Sequence, residues 1–430
     1  MRNFVIAALF FLIALTGWRE LAVAAPAGTP TPSATGTRTA TLAPRQVTAT
    51  GTLTPTLALT ATRGISATPT ITLPPPTGTP AVRVPPTATP IRYNLALEPN
   101  ALAIESLRVR PYGGAGVRIT KIVLTGDAYR QALIEYSSDG LRITGTMNIP
   151  RGAGPFPVVV LDHGYFKPAE YKTGDGTSRA ADAFARHGYL TLAPDYRCYA
   201  GSQCAANPFY IGYAVDVVNL IAQIASIPDA DPNRIGIWGH SMGGQVTLRA
   251  LALTDTIKVA ALYGALTGDD EAHYCWLRGC RTAALPSGLS AEQKLYQRLA
   301  EADPDFLVNV PALAAPLEAV SPYHEIFVKS SPTKYLGYVN TPLIIHHGEA
   351  DDIVPLEWST SLAHALSAQG KTAMLYTYPG EGHVFAGWGW QLFMARTLAF
   401  FDEFLNPRAT PVTADKRVWR QERLAADASY

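Results

Sequence analysis

The sequence predicts an α/β protein: an open, mostly parallel, doubly wound sheet with helices on both faces and a cap inserted late in the chain. Three observations predict it. Short apolar runs recur from residue 156 onward, and most are nearly continuous rather than alternating, as strands buried on both faces require. Helical patterns fill the gaps between them, so strand and helix alternate. One gap, residues 266 to 336, is far longer than an ordinary connection.

The chain begins with an export pattern. Arg2 is followed by the apolar stretch "FVIAALFFLIALTGW" and then the small residues of "LAVAA". Residues 1–25 therefore read as a signal peptide, cut after Ala24 or Ala25. The alternative is an uncleaved anchor, although the run is short for a membrane span. No later run reads as a span. Residues 26–90 are dominated by Thr, Pro, Ala and Gly, with Arg38, Arg45, Arg63 and Arg83 as the only charges. Such a composition buries too little area to offset its ordering entropy, so it reads as a disordered spacer.

Order is expected from about residue 91. Two β-rich runs flank Asp139-Gly140 in "RQALIEYSSDGLRITGTMNIP", a hairpin signal. The buried strands are then "FPVVVLDHG", "YLTLAPDY", "RIGIWGH", "VAALYGA", "PLIIHHG" and "AMLYTYPG". "RAADAFARHG" forms a helix ending on Gly188, a natural C-terminal stop. "YAVDVVNLIAQIAS", "GGQVTLRALAL", "EWSTSLAHALSAQG" and "WQLFMARTLAFFDEFL" supply further helices. The long 266–336 segment follows a strand's carboxyl end, where folds of this type bind ligands, and reads as the cap. Its aromatic and apolar residues Tyr274, Trp276, Phe306, Leu307 and Tyr323 are candidates for a substrate pocket.

Bulk numbers narrow the functions. The 430 residues are 47% hydrophobic and 16% charged, with net charge +1, so nothing recommends a nucleic-acid partner. The nine histidines show no metal-ligand spacing, and neither a metal nor a cofactor is expected. The four cysteines form two close pairs, Cys198 with Cys204 and Cys275 with Cys280. In an exported chain local disulfides are expected, with free thiols as the alternative.

The chemistry centres on "GHSMG". Ser241 lies between a strand and a helix, flanked by Gly239 and Gly243, which is the context a Gly-x-Ser-x-Gly nucleophile turn requires. A serine hydroxyl needs a base, and the base needs an orienting acid. "HHGEADDIVP" offers Asp351, with Asp352 beside it, and "PGEGHVF" offers His383, each just past a strand end and in the order Ser, acid, His. The Met242 amide, next after the serine, is one oxyanion donor. His240 reads as a packing neighbour, His346 and His347 as structural, and Asp195 and Arg197 as holding a nearby loop.

Together "LDHGY", "APDYR", "GHSMGG", "HGEADDIVP" and "GEGHVF" resemble the α/β-hydrolases, and within them the catalytic domain of prolyl oligopeptidase-type serine hydrolases and their dienelactone hydrolase relatives, over residues 130 to 406. The resemblance implies the α/β-hydrolase fold, selects Asp351 rather than Asp352 as the acid, and places the second oxyanion amide at Tyr165, whose hydroxyl could also contribute. It departs from that family in lacking a β-propeller before the catalytic domain. The organisation is then 1–25 signal peptide, 26–90 spacer, 91–406 hydrolase domain with a cap at about 266–336, and 407–430 a polar tail. The expected function is a secreted or membrane-anchored serine esterase acting on a small ester. A serine-type exopeptidase acting on short peptides is the alternative, and a non-catalytic surface binding module is a third reading. For the peptidase, Glu271, Glu301 and Glu325 are the carboxylates available to hold a free amine.

Overall fold

A computed structural model describes residues 95, 99–278 and 321–406. The expected signal peptide, spacer and C-terminal tail lie outside the described residues, as does the middle of the cap, 279–320. The chain divides into a first unit, 1–81, wholly outside the described residues, and a second, 82–430, which contains every element below.

Among the described residues nine strands form one sheet in the order β1-β2-β3-β5-β4-β6-β7-β8-β9. The first three are antiparallel: β1 (Arg118–Thr125), β2 (Tyr129–Ser138) and β3 (Leu141–Pro150). Asp139 and Gly140, at φ 51° and 80°, make the tight turn between β2 and β3. β3 then pairs antiparallel with β5 (Leu190–Pro194). From there the sheet is parallel through β4 (Phe156–Asp162), β6 (Ala230–His240), β7 (Val259–Tyr263), β8 (Leu343–Gly348) and β9 (Ala373–Tyr378). β1 was not foreseen. Every one of its residues is exposed, so no one-sided apolar pattern marks it.

The continuous apolar runs have a direct cause. In β4, Val158 and Val160 enter one core cluster while Val159 and Leu161 enter the other. Ile237 and Trp238 of β6, and Ile345 and Ile344 of β8, divide in the same way. Both sheet faces are therefore covered, and each fully buried Val or Leu is worth about 1.5–3 kcal/mol. Helices α1 (Ile104–Val109), α3 (Ile211–Ile221), α4 (Met242–Leu253) and α7 (Leu356–Ser367) fill the first cluster. Helices α2 (Ser178–Arg186) and α8 (Gly387–Leu405) fill the second. The segment Pro208–Ser226 is long and apolar enough to cross a membrane by length and composition, yet 83% of it is buried in this core.

Two cap helices are described, α5 (Asp270–Arg278) and α6 (Ser321–Ser330). They are rooted in the core. Asp270 accepts hydrogen bonds from Arg249 of α4 at 2.5 Å and from Ser330 of α6 at 2.5 Å, and the Arg249 and Asp270 side chains have no exposure.

Candidate active site

Ser241 sits alone between the end of β6 and the start of α4, at φ 56° and ψ −122°. A non-glycine residue in such a region costs on the order of 1–3 kcal/mol and persists only where its surroundings fix it. Three backbone hydrogen bonds do so here. Ser241 N donates to Tyr263 O at 2.9 Å, while Ser241 O accepts from Gly244 N at 2.9 Å and Leu266 N at 3.1 Å. The flanking glycines are required by space. A Cβ on Gly239 would lie 2.3 Å from Gly243 O, and one on Gly243 would lie 2.1 Å from Asp162 O. Helix α4 thus presses against the ends of β6 and β4. Its first residue is Met242, whose amide belongs to the unsatisfied, positive end of the helix.

The loop after β4 meets the serine from the other side. A Cβ on Gly164 would lie 3.2 Å from Ser241 Cβ, so the backbone leading into Tyr165 runs directly past it. His163 anchors this loop. Its ring is stacked between Tyr171 and Tyr196 at 4.5 and 4.3 Å, with Nδ1 2.7 Å from Gly164 O and Nε2 3.1 Å from Asp195 O.

The loops after β8 and β9 bring Asp351 and His383 together. His383 Nδ1 donates to Asp351 Oδ2 at 2.8 Å, and the Asp351 side chain has no exposure. Burial alone would raise the Asp351 pKa. Hydrogen bonds from His347, His383 and the Val354 amide outweigh that and hold the carboxyl below its ordinary range. Ile353 N and Val354 N both donate to Oδ1, at 3.0 and 2.8 Å. Asp352, the neighbour, is exposed. His240 links the serine to this pair: its Nε2 donates to His383 O at 3.1 Å, and the two rings lie 4.7 Å apart. Burial, then the nearby His383, pushes His240 down to about 3, so it stays neutral.

Two participants were missed in the sequence. His347, read as merely structural, has Nε2 3.0 Å from Val354 O and 3.2 Å from Asp351 Oδ2. Two acceptors on one nitrogen require that it carry the proton, so Nδ1 accepts from Ser359 Oγ at 2.7 Å. His346 faces the opposite side of the sheet, toward Tyr378 and Thr397. Strand alternation signals that split, but not which histidine meets the acid. Gly264, at φ 48°, is the second. A Cβ there would lie 3.3 Å from both Asp351 Oδ2 and His383 Nδ1.

The structure describes two of the expected pocket residues, and both are buried. Tyr274 and Trp276 are buried in the main core cluster, 8% and 0% exposed. Tyr274 packs on Phe327, and Trp276 packs edge-on against Trp358. Two residues apart on α5, they point to different sides of a helix that is buried from Ala272 to Trp276, and both attach the cap to the core. The Tyr323 side chain, Phe306 and Leu307 lie outside the described residues. A cavity of about 250 Å³ is lined by Ala265, Leu266, Ala272, Leu336, Trp358 and Leu362, among others. Its wall reaches the serine through the Leu266 N to Ser241 O hydrogen bond.

Cys198 and Cys204 form a disulfide, with Cα atoms 4.1 Å apart. Cys275 is disulfide-bonded, and its expected partner Cys280 lies outside the described residues. Asp195 accepts from Thr144, Thr173 and Tyr171, while Arg197 forks onto Asp216, so this pair of residues holds the loop after β5.

Comparison with known proteins bears on the family and the fold. Residues 158–412 match the model of the alpha/beta hydrolase family. The "Uncharacterized peptidase YuxL" of Bacillus subtilis is 26% identical over 162 residues, which are 36% of this chain and 19% of that one. Thus the chain spans less than a fifth of that relative's length. An acetyl xylan esterase from Paenibacillus sp. R4 superposes with a TM-score of 0.51 at 16% identity, covering 70% of this chain and 92% of its own. The acylaminoacyl peptidase of Pyrococcus horikoshii gives 0.50 at 21% identity, covering 68% and 44%. At such identities the two structures speak for the fold.

Proposed function

The chain belongs to the alpha/beta hydrolase family, and on that premise we propose that it is a serine hydrolase that cleaves carboxylic esters outside the cytoplasm through Ser241, His383 and Asp351. The observation that carries the proposal is the 2.8 Å hydrogen bond from His383 Nδ1 to a fully buried Asp351, with the His383 ring 4.7 Å from that of His240, the residue before the strained Ser241.

Asp351 stays ionised and fixes the His383 tautomer, which leaves Nε2 free of a proton. Nε2 takes the proton of Ser241 Oγ as that oxygen attacks the carbonyl carbon. Negative charge develops on the carbonyl oxygen, where the Met242 and Tyr165 amides and the α4 dipole favour it. The tetrahedral intermediate collapses, His383 returns the proton to the leaving alcohol, and an acyl-Ser241 remains. Water, activated by the same imidazole, releases the acid.

Two features support an ester over a peptide. The cavity beside Leu266 has mainly apolar walls, which suit an acyl group. Of the three carboxylates available to grip a free amine, Glu271 already faces His324 at 3.6 Å and Glu325 pairs with Lys329 at 2.8 Å, while Glu301 lies outside the described residues. The peptidase reading stays second, favoured by the match to a protein named a peptidase. The Cys198–Cys204 disulfide supports an oxidising compartment.

A fluorophosphonate probe should label the protein, and Ser241→Ala should abolish the labelling. p-Nitrophenyl esters should be hydrolysed with at least about tenfold higher kcat/KM than aminoacyl-anilides, which is about 1.4 kcal/mol in transition-state binding. Anilides cleaved faster than every ester would promote the peptidase.

A further inference from the structure

We propose that Tyr199 is a positioning residue for the oxyanion loop, held in place by the Cys198–Cys204 disulfide. The inference rests on the reading of Tyr165 as an oxyanion donor.

Tyr199 is fully buried, and its hydroxyl reaches the loop after β4. The phenol donates to Phe166 O at 2.8 Å and accepts from Phe166 N at 3.5 Å. One oxygen therefore grips both backbone groups of the residue directly after Tyr165. On the other side, His163 Nδ1 meets Gly164 O at 2.7 Å, and the Tyr199 ring packs edge-on against the His163 ring at 4.9 Å. The Tyr165 amide lies between two fixed points, and Tyr199 contributes to both.

What holds Tyr199 is an unusual stretch of backbone. Tyr196, Cys198 and Ala200 all adopt left-handed conformations, at φ 62°, 69° and 46°. Side-chain-bearing residues rarely do so, and such conformations last only where the surroundings over-determine them. The disulfide closes a ring over residues 198–204, which takes in Tyr199 and Ala200, and Cys198 N donates to Gln203 O within it. A short ring that excludes most open conformations keeps Tyr199 pointed at the loop. Burial also pushes the Tyr199 phenol up to about 12, so it remains a donor at working pH. Cleaving the disulfide would then loosen an oxyanion donor without touching the triad.

The test uses the full chain with Y199F, the double variant C198S/C204S, and the combination. Y199F should lower kcat on p-nitrophenyl acetate by about tenfold or more with KM little changed, as loss of a transition-state interaction requires. Affinity for an arylboronic acid, whose oxygen occupies the oxyanion position, should fall in step. C198S/C204S should act in the same direction. The combined variant should be no worse than the poorer single, because both remove one restraint. Wild-type kcat and boronate affinity in Y199F, or effects that multiply, would overturn the proposal. Should Y199F fail to fold, the disulfide variant decides by the same two readings. Failure of the wild type to take a fluorophosphonate label would sink the hydrolase reading, whereas normal labelling with unaltered Y199F kinetics sinks this inference alone.

Discussion

His347 Nε2 stands 3.2 Å from Asp351 Oδ2, the same oxygen that accepts His383 Nδ1 at 2.8 Å. The acid therefore has two imidazole donors, one catalytic by proposal and one anchored to Ser359. Removing the second, as in His347→Phe, deletes a buried hydrogen bond to a charged group, worth about 1.5–3 kcal/mol. Because the Asp351 pKa is depressed, its stabilisation is present above the ordinary carboxylate range and is lost as pH falls through the folded value. Thermal melts against pH should show wild-type stability holding to lower pH than His347→Phe. Superimposable acid limbs would refute the contact's role.

The two adjacent acids separate cleanly. Asp351 has a buried side chain bonded to His383, and Asp352 is exposed. Ser241→Ala and His383→Ala should each cut turnover by several orders of magnitude, since triad members act as a unit. Asp351→Asn should also be severe, by favouring the wrong tautomer. Asp352→Asn should stay within about threefold of wild type, a surface change away from these contacts. Steady-state kinetics would show the assignment wrong if Asp352→Asn were the more damaging.

Gly264 passes beneath the Asp351–His383 pair in a left-handed conformation. A methyl group there both strains the backbone and pushes on the pair from 3.3 Å. Gly264→Ala should lower kcat by about tenfold or more while the chain still folds, since displacement of a catalytic group by less than 1 Å is expensive. Circular dichroism and kinetics on the same sample would check it. Unchanged kcat would mean that the pair can yield.

Asp162 titrates the opposite way to Asp351. It is fully buried at the end of β4 and accepts from Thr247 Oγ1 at 2.6 Å. Burial, only partly offset by that hydrogen bond, raises its pKa from 3.8 to about 7. The folded state then keeps a proton that the unfolded chain has lost, so stability falls as pH rises from about 4 to about 7. The cost is on the order of 4 kcal/mol at 1.36 kcal/mol per pH unit. Asp162→Asn should flatten this part of the stability curve, as read by denaturant melts at several pH values. Parallel curves for the two proteins would contradict it.

What could be read from the sequence follows from physics that acts locally. Buried parallel strands need apolar residues on both faces, so β4 to β8 announce themselves. A strained serine turn needs small neighbours, so Gly239 and Gly243 mark Ser241. Other features depend on parity or partner. The doublet His346-His347 says that two histidines face opposite ways, but only the fold shows which one meets Asp351. The aromatic residues of α5 signal burial, and Tyr274 and Trp276 are buried in core rather than in a pocket. β1 has no buried face, so nothing in its composition betrays it.

That last strand has a consequence for handling the protein. Ile119, Ile122, Val123 and Leu124 of β1 are each more than 40% exposed, on the outermost strand of the sheet among the described residues. An open edge with apolar side chains is a template on which another extended chain can be added, the first step of aggregation. Two register shifts against β2 and the cations Arg118 and Lys121 interrupt that template. These are guards rather than contributors to the core. Substituting Lys121 by an apolar residue would leave the site intact and make the protein harder to keep in solution.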